Sequence, residues 1–281
     1  MKPHAPVAPR NAWADSTYNA PWIQAVRRFM AKMFTVTEME IWKLRHDPTE
    51  LVTRAVQPAL WLLVFGQVFT RVHAIPTGDL NYIDYMAPGI LAQSVLFISI
   101  FYGIAIIWER DLGILHKFLA SPTPRPALVL GKALSAGVRS LSQALMVYGL
   151  CLLLGVQLNV NPLNLLLVML FVVLGATVFS TFSLIIACLV KTRERFMGIG
   201  QLMTMPLFFA SNAIYPIDIM PAWLQVVSRV NPLTYEVDAL RALMISGAAS
   251  VTGVGVDLLV LSLVAAVLVW IASYLYPKVV L

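Results

Sequence analysis

Charge is what this sequence has least of. Only 12% of its 281 residues are charged, while 59% are hydrophobic; a soluble domain carries roughly 25% charged residues. No charged side chain occurs between Asp84 and Glu109, Arg139 and Lys191, Arg195 and Asp218, or Asp257 and Lys278. A helix crosses the hydrocarbon core with about 20 apolar residues, so each gap can hold at least one span. A water-soluble fold would need far more polar surface to cover such a core. Cysteine is scarce too, and both Cys151 and Cys188 fall inside apolar stretches. That excludes a disulfide framework. The four histidines, His4, His46, His73 and His116, are scattered and leave no metal-ligand spacing. No glycine-rich phosphate loop followed by Lys and Ser or Thr is present, so no ATP site, catalytic site or cofactor is expected in this chain. No internal repeat is visible, which disfavours an inverted-repeat transporter. No His, Asp or Glu is expected at mid-membrane depth, which argues against proton coupling.

What is present reads as an all-α polytopic membrane protein. Six spans are expected, at 52–70, 86–107, 136–156, 164–190, 198–214 and 254–276. The uncharged run 140–190 must hold two of them, parted by a turn at Asn159, Asn161 and Pro162. Basic residues mark the cytoplasmic side. With the N-terminus inside, every Lys and Arg of the 20 falls there except Arg71, Arg229 and Arg241. Both termini are therefore expected in the cytoplasm. The net charge of +6 reflects this bias rather than a nucleic-acid partner. Residues 1–21 lack an apolar core and are expected to be a disordered cytoplasmic tail, not a signal peptide.

Three further segments are amphipathic or half-apolar. In 22–46, Trp22, Val26, Phe29, Met30 and Met33 share one helical face and Gln24, Arg27, Arg28 and Lys32 the other, the pattern of a helix lying in the inner interface. From Glu109 to Ser121, Leu112, Ile114, Leu115, Phe118 and Leu119 share one arc, with Glu109, Arg110, Gly113, His116, Lys117 and Ser121 opposite. Asp111 alone is out of place on the apolar arc. Pro122 and Pro124 end the helix. A connector needs only about 2–8 residues, so this one reads either as an interface float or as a surface for a cytoplasmic partner. After the fifth span, Pro221 and Asn231-Pro232 start two short helices at about 221–229 and 232–246. Their apolar residues suit a dip into the outer leaflet and back.

Two stretches carry a resemblance. ERDLGILHKFLASPTPRPALVLGK resembles the first cytoplasmic loop of ABC-2-type transporter permeases through Glu109, Gly113, Leu115, Leu119, Ser121, Pro122, Arg125 and Gly131-Lys132. Residues 206–244 resemble the same family's outer region through Pro206, Phe209, Ser211, Tyr215, Pro216, Met220, Pro221, Trp223, Asn231, Pro232, Thr234, Tyr235, Asp238 and Arg241. The match is nearest the daunorubicin and multidrug exporter branch, with polysaccharide and lipo-oligosaccharide exporters as neighbours. Asn212 and Ala213 depart from the small residues and glycine common there.

The resemblance implies a type V exporter permease in the cell (inner) membrane. It implies a second permease chain, identical or paralogous, and two ATPase subunits that bind ATP and Mg. It makes 109–121 the coupling helix, with Glu109, Arg110, Asp111, Gly113, Leu115, Lys117, Phe118, Ser121, Pro122 and Arg125 docking an ATPase. The loop with Lys191, Arg193, Glu194 and Arg195 is a second contact. Pro216, Pro221, Trp223, Asn231, Pro232, Tyr235 and Arg241 belong to a re-entrant outer gate. The implied cargo is an amphipathic drug-like molecule or lipid. Polar residues within spans, Gln93, Ser94, Gln201, Thr204 and Ser211, are candidates for its pathway or for pairing helices. Two other classes stay open: a membrane enzyme using His73, Asp79 and Asp84 of the first outer loop, and an ion-driven transporter.

Overall fold

The computed structural model describes residues 56–72, 75–78, 80–113, 124–190 and 192–276, with Met30, Ala31, Thr35, Glu38 and Thr53 in addition. The expected tail 1–21, nearly all of the interface helix 22–46, and Leu115, Lys117, Phe118, Ser121, Pro122, Lys191, His73 and Asp79 lie outside the described residues. Met30, Ala31, Thr35 and Glu38 are helical and exposed. The Thr35 hydroxyl donates back to the Ala31 carbonyl at 2.9 Å.

Eight helices order the described chain: α1 (Val56–Val72), α2 (Tyr82–Asp111), α3 (Arg125–Leu153), α4 (Pro162–Leu189), α5 (Arg193–Phe209), α6 (Ala222–Val230), α7 (Pro232–Met244) and α8 (Val254–Leu275). Among the described residues there is no strand, only an antiparallel bridge between Leu158 and Ile245. Four helices, α2, α3, α4 and α8, are long and apolar enough to cross a membrane. α1 and α5, where the sequence predicts the first and fifth spans, are shorter. α1 contains a π-helical stretch, Trp61–Gly66, and α5 carries Pro206 inside it.

α2 is the centre of the bundle, packed against α3, α4, α5 and α7. Its Ile90, Leu91, Val95, Leu96 and Ile100 are fully buried. Apolar surface gives little drive between helices in lipid, so small residues and hydrogen bonds decide where they meet. The Ser183 hydroxyl of α4 donates to the Ile100 carbonyl, and a Cβ at Gly103 would collide with it. At 30 residues, α2 is about 45 Å long. That exceeds the roughly 30 Å hydrocarbon core. α8 is peripheral and turns Leu259, Leu263, Trp270 and Tyr274 outward.

The α3–α4 turn forms as the sequence predicts. The Asn161 side chain caps α4 by accepting from the Leu163 N–H at 3.0 Å, with Pro162 at the first position. The turn is sewn to the end of α7 by Asn159 N–H to Met244 O (2.8 Å) and Ser246 N–H to Gln157 O (2.9 Å).

Three expectations need correction. The amphipathic helix expected from Glu109 does not begin there: Glu109, Arg110 and Asp111 are the last turn of α2. Leu112 and Gly113 form a turn, Gly113 at φ 70°, a left-handed backbone that glycine adopts without strain. The two short outer helices differ in kind. α6 leaves Trp223, Val226 and Val230 exposed, whereas ten residues of the 13-residue α7 are buried within the protein. Third, a carboxyl does reach mid-span. Glu236 of α7 is fully buried against Gly175, the midpoint of the 28-residue α4.

Candidate functional site

The neighbour of Asp111 is Arg193, 82 residues away. Thr192 caps α5 by accepting from the Arg195 N–H at 3.4 Å, which sets Arg193 as the first residue of that helix. From there its guanidinium donates twice to Asp111 Oδ2, at 3.0 and 2.7 Å, and lies 3.6 Å from the Trp108 ring centroid. Such forked and stacked contacts suit arginine and not lysine. Arg110 donates to Asp111 Oδ1 at 3.3 Å and to the Val190 carbonyl at 3.4 Å. The first and second basic loops are thereby clamped together, α2's end to α5's start. Glu194 and Arg195 stay exposed beside the clamp, and Glu194 sits favourably in the first helical turn. One turn deeper, Lys132 of α3 meets Glu109 at 2.5 Å, both nearly buried. Arg125, which begins α3, is exposed. Trp108 and Leu112 present apolar surface next to these charges, 48% and 68% exposed. A clamp rimmed by exposed apolar residues can pass a push from one loop into two helices at once.

The opposite end is built from buried polar groups. Arg241 of α7 lies over the Tyr85 ring at 3.8 Å and donates to the carbonyls of Tyr85 (3.2 Å) and Asn212 (2.7 Å). The Tyr85 hydroxyl also donates to Asn212 O, at 3.2 Å. Asn231 caps α7 through the Leu233 N–H at 3.0 Å, and its amide donates to Leu207 O (2.7 Å) and Ala210 O (3.2 Å) at the end of α5. Asp238 gathers Val251 N–H (2.9 Å), Thr252 N–H (3.0 Å) and the Ser250 hydroxyl (2.7 Å). The return loop 210–216 presses on α2 at Gly89, where a Cβ would stand 2.7 Å from the Ala213 Cα. So Ala213 is accommodated by a glycine on the facing helix.

Of the residues assigned to a gate, Pro216, Tyr235 and Arg241 line a cavity of about 550 Å³ with Asp218, Arg229 and Asp238. Asn231 and Pro232 build the start of α7. Pro221 immediately precedes α6, and Trp223 faces outward.

The pathway candidates do not converge. Ser94 lines a cavity of about 350 Å³ between α1, α2 and α3, with Thr53, Gln57, Phe97, Phe101 and Gln143. Gln93 is buried and Gln201 exposed. Thr204 spends its hydroxyl on the Gly200 carbonyl at 2.6 Å, and Ser211 on Phe208 O at 2.7 Å. Thr53, Gln57 and Gln143 were missed because each is a single polar residue at a span edge or inside an apolar run.

A bundle of apolar helices, four of them long enough to cross a membrane, with ion pairs at the end rich in basic residues and the short α7 buried at the other, defines a polytopic membrane protein. The chain belongs to the ABC-2 type transporter family, which matches residues 31–245. It is 31% identical over 221 residues to a transport permease, ycf38, of Cyanophora paradoxa, covering 76% of this chain and 74% of that one. It is 26% identical over 250 residues to the daunorubicin resistance ABC transporter permease protein DrrB1 of Streptomyces coeruleorubidus, covering 88% and 87%.

Proposed function

We propose that this chain is the membrane subunit of an ATP-driven exporter that moves an amphipathic drug-like molecule or lipid out of the cytoplasm or inner leaflet. The carrying observation is the clamp of Asp111, Arg193, Arg110 and Trp108, which joins the two basic loops into one surface. In this reading α1 and α5 complete six spans. Both termini and the clamp are cytoplasmic in the cell membrane, as the placement of the basic residues supports. A second permease chain, the same or a paralogue, completes the pathway. Two separate ATPase subunits bind ATP and Mg and push on residues 109–125 and 191–195. The cavity at Ser94, with aromatic walls and uncharged polar groups, suits an amphipathic cargo, as do relatives named for drug resistance.

The test is co-expression with ATPase subunits in vesicles. Asp111→Asn and Arg193→Gln should leave the complex assembled and lower ATP-driven transport by about tenfold or more, the scale of a coupling free energy. Unchanged transport in both variants would remove the clamp from the coupling route. Transport driven by an ion gradient with no ATPase, or accumulation of a polysaccharide in place of amphipathic dye, would replace the exporter reading.

A further inference from the structure

Glu236 is the one group of the re-entrant α7 that neither end of the molecule uses. Its side chain is fully buried, and neither carboxyl oxygen has a hydrogen-bond partner. It occupies a notch in α4 that exists because residue 175 is glycine: a Cβ there would overlap the carboxyl oxygens. The notch is halfway along a helix able to cross a membrane, with fully buried Val172, Ala176, Val237 and Leu240 nearby in sequence on the two helices.

The charged groups on the surrounding elements are engaged elsewhere or lie at the ends. α4 has no charged side chain along its length, and its only thiol, Cys188, is at its last turn. On α2, Asp84 accepts from the Gln157 N–H and Tyr85 lies under Arg241, at one end. Glu109, Arg110 and Asp111 are at the other. On α8, Asp257 is held by Ser250 and Thr252 in the first turn. Arg229 of α6 lines the outer cavity. On α7 itself, Asp238 and Arg241 are committed to the loop and to Tyr85, and the Tyr235 hydroxyl donates to Arg229 O.

We infer that Glu236 is a proton-binding site in the interior of the permease, holding a proton while α7 is packed against α4 and releasing it to water when the two part. An ionised carboxylate without a partner in a dry interior is several kcal/mol too costly to persist. A hydrated glutamate ionises near pH 4.3, and this carboxyl, sealed in the notch with neither oxygen bonded, has none of the water or donors that let it do so. The packed state thus binds the proton more tightly than the parted one. It is fully favoured below the hydrated value and loses up to about tenfold in population per pH unit as pH rises toward the buried value. Each parting of α7 from α4 above that hydrated value releases one proton, and each closure takes one up.

The test uses the full chain in lipid nanodiscs and needs neither ATP nor a partner, so its result is separate from that of the export reading. The infrared spectrum at neutral pH should contain a protonated carboxylic acid band that Glu236→Gln removes. Spin labels at the exposed Val160 and Val230 should report a longer-distance population that grows as pH rises above about 4.3, and stays constant in Glu236→Gln. Glu236→Met, apolar and of similar volume, should fold and be equally insensitive to pH. The inference is overturned if the acid band is absent at neutral pH, if the pH response survives both substitutions, or if both variants fail to fold.

Discussion

The two ends of α2 carry similar residue types and use them in opposite ways. At the basic end, Asp111 and Arg193 meet with about a third of each side chain exposed, and their partners are side chains. At the far end, Arg241 is 6% exposed and donates to backbone carbonyls, while Asp238 accepts from backbone amides. Exposed ion pairs contribute little to stability and exchange partners readily. A buried charge fully bonded to backbone is hard to remove without leaving orphaned polar groups. One end can therefore exchange its contacts at small cost, and the other ties the buried α7 to α2 and to the loops around it.

That contrast can be broken by mutation. The largest effect is expected from Arg241→Ala. It strips two carbonyls of a donor and uncovers Tyr85, so it should cost about 3–5 kcal/mol, read as a drop in thermal midpoint in detergent. Lysine should rescue only part, since it lacks the forked geometry. Lys132→Met comes next and tests whether the basic end has a rigid layer below its clamp. Leaving Glu109 without its 2.5 Å partner should destabilise by a similar or smaller amount. The double variant Glu109→Leu/Lys132→Met should recover most of it, as paired replacement of buried ions often does. The smallest stability effect belongs to Asp111→Asn. Its thermal midpoint should match wild type and depend less on salt than wild type does, even where transport falls. A large loss of stability there would erase the distinction between the ends.

Much of the local structure was legible from short-range chemistry. Asn231-Pro232 caps a helix where expected, and the turn expected at Asn161-Pro162 proves to cap one as well, because an Asn oxygen reaches the next free amide and proline suits the first turn. The wheel for 109–121 misled: it assumed one continuous helix, whereas the chain finishes α2 at Asp111 and turns through Gly113. An amphipathic pattern does not reveal a break at a glycine when the angular order on either side is compatible with helix. Asp111 stood out as a misfit on its arc, and its partner came from a helix far along the chain. Glu236 gave no such signal. Residues 232–246 read as a short helix dipping into the outer leaflet, with nothing to single out Glu236, and only the burial of α7 against α4 puts that carboxyl beside the midpoint of α4.

The sequence by itself determined that this is a membrane protein, where its apolar helices lie, which end is basic, and the family to which it belongs. Each of these rests on composition and local spacing. Only the tertiary structure decided that Asp111 pairs with Arg193, that α7 is buried while α6 is not, and that Glu236 sits in the gap left by Gly175. The physical reason is that helices in lipid meet through small residues and individual hydrogen bonds. Those contacts join positions tens to hundreds of residues apart and leave no periodic mark in the chain.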